Sequence, residues 1–125
     1  MDENRVSRLL IGAAIEVHRI LGPGLLESVY RQALVHELEL PGVPCRAEVL
    51  IPARYKGLEF TSGYRVDLLV ADLLIVELKV VESLLPVHEA QLLSYLRMTG
   101  KRLGLLINFN VAVLRNGIKR IVNNL

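Results

Sequence analysis

The chain has no tryptophan, one cysteine and only six aromatic residues among 125. The lone Cys45 excludes an internal disulfide and suits a reducing cytosol, so a cytoplasmic location is expected. Beside Pro44 it reads as a small buried apolar residue rather than a catalytic thiol. No Cys or second nearby His accompanies His88 in a zinc constellation. The aromatics are scattered, which argues against a platform for stacking single-stranded bases. No apolar run reaches the roughly 18 to 20 residues a membrane span needs, so no membrane role is expected. Met1-Asp2-Glu3-Asn4-Arg5 lacks a basic region followed by an apolar run, so no signal peptide is expected. A glycine-rich phosphate loop, an internal repeat and a low-complexity linker are also missing.

What is present points to one globular domain over residues 1–125. Apolar residues make up 52% of the chain, enough for a real core. Net charge is only +2, but unevenly spread. Residues 90–125 carry Arg97, Lys101, Arg102, Arg115, Lys119 and Arg120 with no acid, a charge of +6. Residues 1–89 set nine bases against 13 acids, a charge of −4. Such a skew suits a protein that meets a polyphosphate with one region and holds an acidic site in another. Solvated strand and turn residues that happen to be basic would produce it too.

Asp2 or Asn4 can cap a helix over Arg5–Leu21, which Gly22-Pro23-Gly24 breaks. A second helix is predicted from Leu25 to Leu40, closed by Pro41-Gly42-Val43-Pro44. Glu27 and Arg31 lie four apart on it, in the order that favours an exposed ion pair. Arg46–Ile51 alternates as a strand ending at Pro52. Lys56-Gly57 turns the chain into a short strand, and Thr61-Ser62-Gly63 leads into another over Tyr64–Val70. Leu73–Val81 follows a turn at Asp72. Pro86 opens a third helix, His88–Met98. Leu103–Phe109 is an apolar strand, and Val111–Leu114 with Ile118–Val122 predicts a terminal hairpin about Asn116-Gly117.

The chemistry concentrates in Gly63–Lys79. Val76, Leu78 and Val80 alternate with Glu77 and Lys79, so a period of two puts both charges on one sheet face. Asp67 lies ten positions before Glu77, and a hairpin centred near Asp72 sets the two acids opposite each other. Charges inside apolar strands are tolerated when paired, metal-bound or catalytic. Two carboxylates can hold a Mg²⁺-like ion, and Lys79 can orient or deprotonate water or stabilise phosphate charge. The pattern suits metal-assisted phosphodiester cleavage; a buried Glu77–Lys79 ion pair is the structural alternative.

Asp67 followed by Glu77-Leu78-Lys79 resembles the D…(D/E)-x-K signature of the PD-(D/E)XK nuclease superfamily. Gly24-Leu25-Leu26-Glu27-Ser28-Val29-Tyr30-Arg31 resembles the G-x-x-E-x-x-x-R motif of the GxxExxxR family within it. His88 to Leu96 is similar to that family's segment after the catalytic strand, where a glutamine and a tyrosine recur. The resemblance runs from about Ile11 to Ile121. Val66 stands where the superfamily's proline would be, a departure that touches no ligand.

The resemblance implies an α/β fold: a restriction-endonuclease-like αβββαβ core with a mixed central sheet, here with an extra N-terminal helix and a C-terminal β-hairpin. It implies a nuclease using Mg²⁺ (or Mn²⁺) on DNA or RNA. Asp67, Glu77 and Lys79 would be catalytic with Gln91, which orients water or a phosphate. Asp67, Glu77 and Glu27 would bind metal, and Arg31, Tyr95 and His88 would support them. The six bases of the last third would hold the nucleic-acid backbone, and a homodimer is expected of so small a chain. The alternatives are a catalytically silent nucleic-acid-binding or scaffold protein, and a hydrolase of a small phosphorylated molecule. The intact Asp67, Glu77 and Lys79 favour the nuclease over the first. The basic spread favours it over the second.

Overall fold

In the computed structural model Asp2, not Asn4, caps the first helix, α1 (Glu3–Leu21), its carboxylate accepting the Arg5 N–H at 2.8 Å. The structure describes the backbone of residues 1–125 and every side chain except those of Thr61 and Ser62. Val6, Leu10, Ala14 and Val17 recur at helical spacing and form the buried stripe of α1. The helix stops at Gly22, whose φ of 71° is easy for glycine. The second helix, α2 (Glu27–Glu39), begins two residues later than predicted. Tyr30 sets that start: its buried hydroxyl accepts from the Leu25 N–H at 3.1 Å and donates to the Gly22 carbonyl. Its ring stacks on Phe109, with centroids 4.4 Å apart. Glu27, at the first turn, is thereby fixed to the core.

The strands are β1 (Cys45–Tyr55), β2 (Leu58–Val70), β3 (Leu74–Lys79), β4 (Leu103–Asn108) and β5 (Ile118–Val122), and they form one mixed sheet in that order. Only β3 and β4 are parallel, joined across the sheet by α3 (Pro86–Thr99). Helices α1 and α2 cover one face, over Leu68, Val70, Leu74, Val76, Leu78 and Leu105. On the other face α3 lays Leu92, Tyr95 and Leu96 over Ile51, Val66, Leu69, Ile75 and Leu106. The order α2–β1–β2–β3–α3–β4 is the expected αβββαβ core, with α1 before it and β5 after.

Three local expectations change. β1 does not end at Pro52 but continues to Tyr55, because Pro52 falls at a register shift between Ile51 and Ala53, where no ladder donor is required. The two stretches read as separate strands on either side of Thr61-Ser62-Gly63 are one strand, β2. The C-terminal hairpin exists, but its arms are β4 and β5. Val111–Leu114 is no strand, and a 3₁₀ turn at Leu114–Gly117 brings the chain back to β4. A Cβ on Gly117 would sit 2.3 Å from the Asn108 carbonyl oxygen, so the return requires glycine there. Among the described residues no helix is long and apolar enough to cross a membrane.

Candidate active site

The β2–β3 turn centres on Asp72 as expected, with Ala71 and Asp72 both at positive φ and Val70 paired with Leu74. The ladder then runs through Leu69–Ile75 to Leu68–Val76, so the next pair in register is Asp67 and Glu77. There the backbone ladder stops. The Leu78 N–H is taken by the Asp67 carboxylate instead, at 2.7 Å. Lys79 turns its carbonyl toward the other neighbour, where the Phe109 N–H donates to it at 2.9 Å. Strand alternation therefore aims the Leu78 carbonyl at the same gap as its N–H.

Asp67 has an acid on each side. On β1 the residue in register with it is Glu48, since Ala47 pairs with Leu68 and Val49 with Val66. Glu48 is skipped by the ladder and held at φ 52°, in the left-handed region that a side chain disfavours. Its carboxylate turns to Arg31 at 3.6 Å and Arg65 at 3.9 Å. Sheet faces switch at the same level: Leu68 packs under α1 and α2, whereas Val66 packs under α3.

Glu77 is buried, and its carboxyl is pushed well above the usual carboxylate range by burial, by a hydrogen bond shared with Asp67 and by the Asp67 charge. Glu27 is raised as well, by burial first and then by Asp67, with Lys79 and Arg31 opposing. Asp67 therefore gathers Glu77 from β3 and Glu27 from α2 around itself, and Lys79 is near enough to act on both. Among the described residues no salt bridge joins Glu77 to Lys79 or Glu27 to Arg31; Arg31 pairs with Glu48 instead. Nor do three ligating side chains there already surround a common point. Two carboxylates and a carbonyl make an all-oxygen donor set, which suits a hard divalent cation. Acids raised by burial and by one another's charge are what such a cation relieves.

The model of the PD-(D/E)XK nuclease superfamily matches residues 4–121, nearly the whole chain. The chain belongs to the PD-(D/E)XK nuclease superfamily. No curated protein and no solved structure matches it. Nucleases of this superfamily generally use divalent metals, in keeping with the oxygen donor set.

Around this nuclease-like centre the remaining predicted residues fall unevenly. Tyr95 lies beside it: burial, and then Glu77, Tyr64 and Asp67, push its hydroxyl up to about 12. Gln91 is exposed one turn earlier on α3 and shares with Tyr95 and Tyr64 a groove of 290 Å³. His88 spends its Nδ1 on the start of α3, accepting the Leu85 N–H at 2.9 Å. The six C-terminal bases are dispersed. Lys101 pairs with Asp72 at 3.2 Å, and Arg102 donates to the Asn124 carbonyl, at the end of the sheet away from Lys79. Arg120 donates to Asn4, Arg115 lines a cleft against α1, and Arg97 and Lys119 are exposed. The Cys45 thiol is pushed up to about 11 by burial and by Glu39, which suits its inert reading.

Sequence reasoning missed Glu48, Arg65, Tyr64 and Asn108. Asn108 is buried at the end of β4, and its amide clamps the chain just after Lys79, accepting from Val81 N–H at 3.1 Å and donating to Val81 carbonyl at 2.9 Å. A polar residue ending the apolar run Leu103–Ile107 was its one signal. Glu48 had none, because only the pairing of β1 with β2 sets it opposite Asp67.

Proposed function

We propose that this chain is a single-domain nuclease of the GxxExxxR family that cleaves DNA or RNA phosphodiesters with Mg²⁺ or Mn²⁺. The observation that carries this is Asp67, buttressed by the Leu78 N–H and flanked by two glutamates whose protonation is raised. Asp67, Glu77 and the Leu78 carbonyl would hold the cation, and Glu27 would join them by a side-chain rotation. When bound, the cation supplies Lewis acidity toward a phosphoryl oxygen and makes water a nucleophile near neutral pH.

The chain's own residues do the rest. Lys79 orients the attacking water and offsets charge growing on the phosphate. Gln91 directs that water or a phosphate oxygen, while Tyr95 walls the site and keeps bulk water from the acids. Arg31 and Arg65 attract the flanking phosphates. His88 supports through the cap that fixes α3. Arg97, Lys101, Arg102, Arg115, Lys119 and Arg120 add long-range attraction to a polyanion. A cytoplasmic homodimer is the working assembly this reading takes.

The test is cleavage of labelled DNA and RNA with Mg²⁺, Mn²⁺ or EDTA, comparing wild type with Glu77→Ala and Lys79→Ala. Metal-dependent cutting should fall by at least about a thousand-fold in Glu77→Ala. No cutting of any substrate, with no Mg²⁺ binding by calorimetry, would instead favour a silent binding protein that keeps the fold.

A further inference from the structure

The β1–β2 ribbon outruns the rest of the sheet. β3 pairs only with Leu68, Leu69 and Val70, so the stretch from Ile51 round to Tyr64 projects beyond it. Half of the chain's six aromatic residues lie on this projection, and all three are exposed: Tyr55 at 55%, Phe60 at 45% and Tyr64 at 42%. They fall within ten residues of one another, on both arms of the ribbon, and pairing fixes how they sit. Tyr55 pairs with Leu58 and Ala53 with Phe60, which puts these side chains on one face. Across the register shift, Ile51 is buried under α3 and paired with Tyr64. Tyr64 in turn lies against Tyr95, with centroids 5.6 Å apart, and Tyr95 borders Glu77 and Asp67. An aromatic line thus runs from the ribbon tip to the acids, entering the groove where Gln91 and Ser94 offer hydrogen bonds.

We propose that this line is a stacking track for single-stranded nucleic acid, so that the substrate is a strand unpaired next to the scissile phosphate. The proposal rests on the nuclease reading for the destination of the track, not for its existence. Tyr55 and Phe60 stand one same-face step, ~7 Å, apart along the ribbon, about twice the base spacing along a duplex strand, and Tyr64 lies four residues beyond Phe60 on β2, so the rings meet bases of an extended strand at intervals. Charge points to a polyanion rather than a second copy of the chain. Residues 50–66 hold Arg54, Lys56 and Arg65 against one acid, Glu59. Glu59 pairs with Arg54 on the opposite face, and the Lys56 ammonium lies 5.4 Å from the centre of the Tyr55 ring. Two such ribbons would repel each other. A base stacked on an aromatic ring beside a cation is the recurrent device of sequence-tolerant single-strand binding.

Binding is measured in EDTA by fluorescence anisotropy with single-stranded and duplex DNA and RNA oligonucleotides. Phe60→Leu and Tyr64→Leu keep apolar bulk but remove the ring, and thermal melts check that each folds. Wild type should prefer the single strand, and each variant should weaken it on the order of ten-fold while leaving weak duplex binding unchanged. Because the chain has no tryptophan, Phe60→Trp adds one clean probe, whose emission the single strand should quench. Equal affinity for duplex, unaltered binding in both leucine variants, or no quenching would overturn the track. So would a wild-type dimer that the double leucine variant dissociates without changing nucleic-acid affinity. Cleavage of duplex as readily as single strand, insensitive to either leucine change, would sink the track and leave the nuclease standing. Ring-dependent single-strand binding without cleavage under any metal would do the reverse.

Discussion

The two halves of β2 obey different rules. From Val66 to Val70 every side chain but Asp67 is buried, pressed between α3 and the α1–α2 pair, and from Leu68 to Val70 strands pair on both edges. From Leu58 to Phe60, and again at Tyr64, apolar and aromatic side chains stand in the open on a ribbon that β3 never reaches. Asp67 sits where one regime becomes the other. A charged group there has a packed strand to position it and an interrupted ladder to give it room. Glu77 bears the cost of burial on a buried strand, while half-buried Asp67 lies where the sheet stops closing.

The largest expected difference tests the packing contrast itself. Leu106→Ala, fully buried under α3, should cost about 2–5 kcal/mol. Leu58→Ala, on the ribbon, should stay within about 0.5 kcal/mol of wild type in urea unfolding. Comparable losses would mean that the ribbon packs against something in solution.

A second prediction addresses the acid at the boundary. Glu77 keeps its proton in the folded chain to higher pH than the ordinary carboxylate value of 4.5 allows once unfolded. The folded state then binds more protons, so metal-free stability should fall as pH rises above that value and on through neutrality. Glu77→Gln removes this slope. Thermal melts in EDTA should nearly coincide near about pH 5 and favour the glutamine variant at about pH 8. A wild type that gains stability over that range relative to Glu77→Gln would show Glu77 to be well paired.

The smallest effect concerns Glu48. Glu48→Ala and Glu48→Gly lose the same contacts to Arg31 and Arg65, but only glycine accepts φ 52° without strain. The glycine variant should be the more stable of the two by about 1 kcal/mol. Equal midpoints in chemical denaturation would show that the ribbon relaxes around position 48.

Much of this was legible in the residues alone. The alternation around Glu77, the turn at Asp72 and the helix punctuation at Gly22 and Pro86 are local rules, and each held because local sterics decided it. Pro52 misled because a proline ends a strand only where a ladder bond is needed, and the register shift removes that need. Val111–Leu114 misled because its apolar residues serve a return loop, with Leu114 filling the core beneath α1. The Glu27–Arg31 spacing correctly put both residues on one helix, but the helix could not foretell that Glu48 would compete for the arginine.

By itself, then, the sequence determined most of the elements, the hairpin register that opposes Asp67 to Glu77, and membership of a nuclease superfamily. Those depend on neighbours a few residues apart. Only the tertiary structure decided that Glu27 approaches Asp67 while Glu48 stands in register with it on β1, that the basic C-terminal residues disperse, and that scattered aromatics line up toward the acids. Each of those follows from strand pairing and helix docking between distant segments, where register and burial rather than spacing choose a side chain's neighbours.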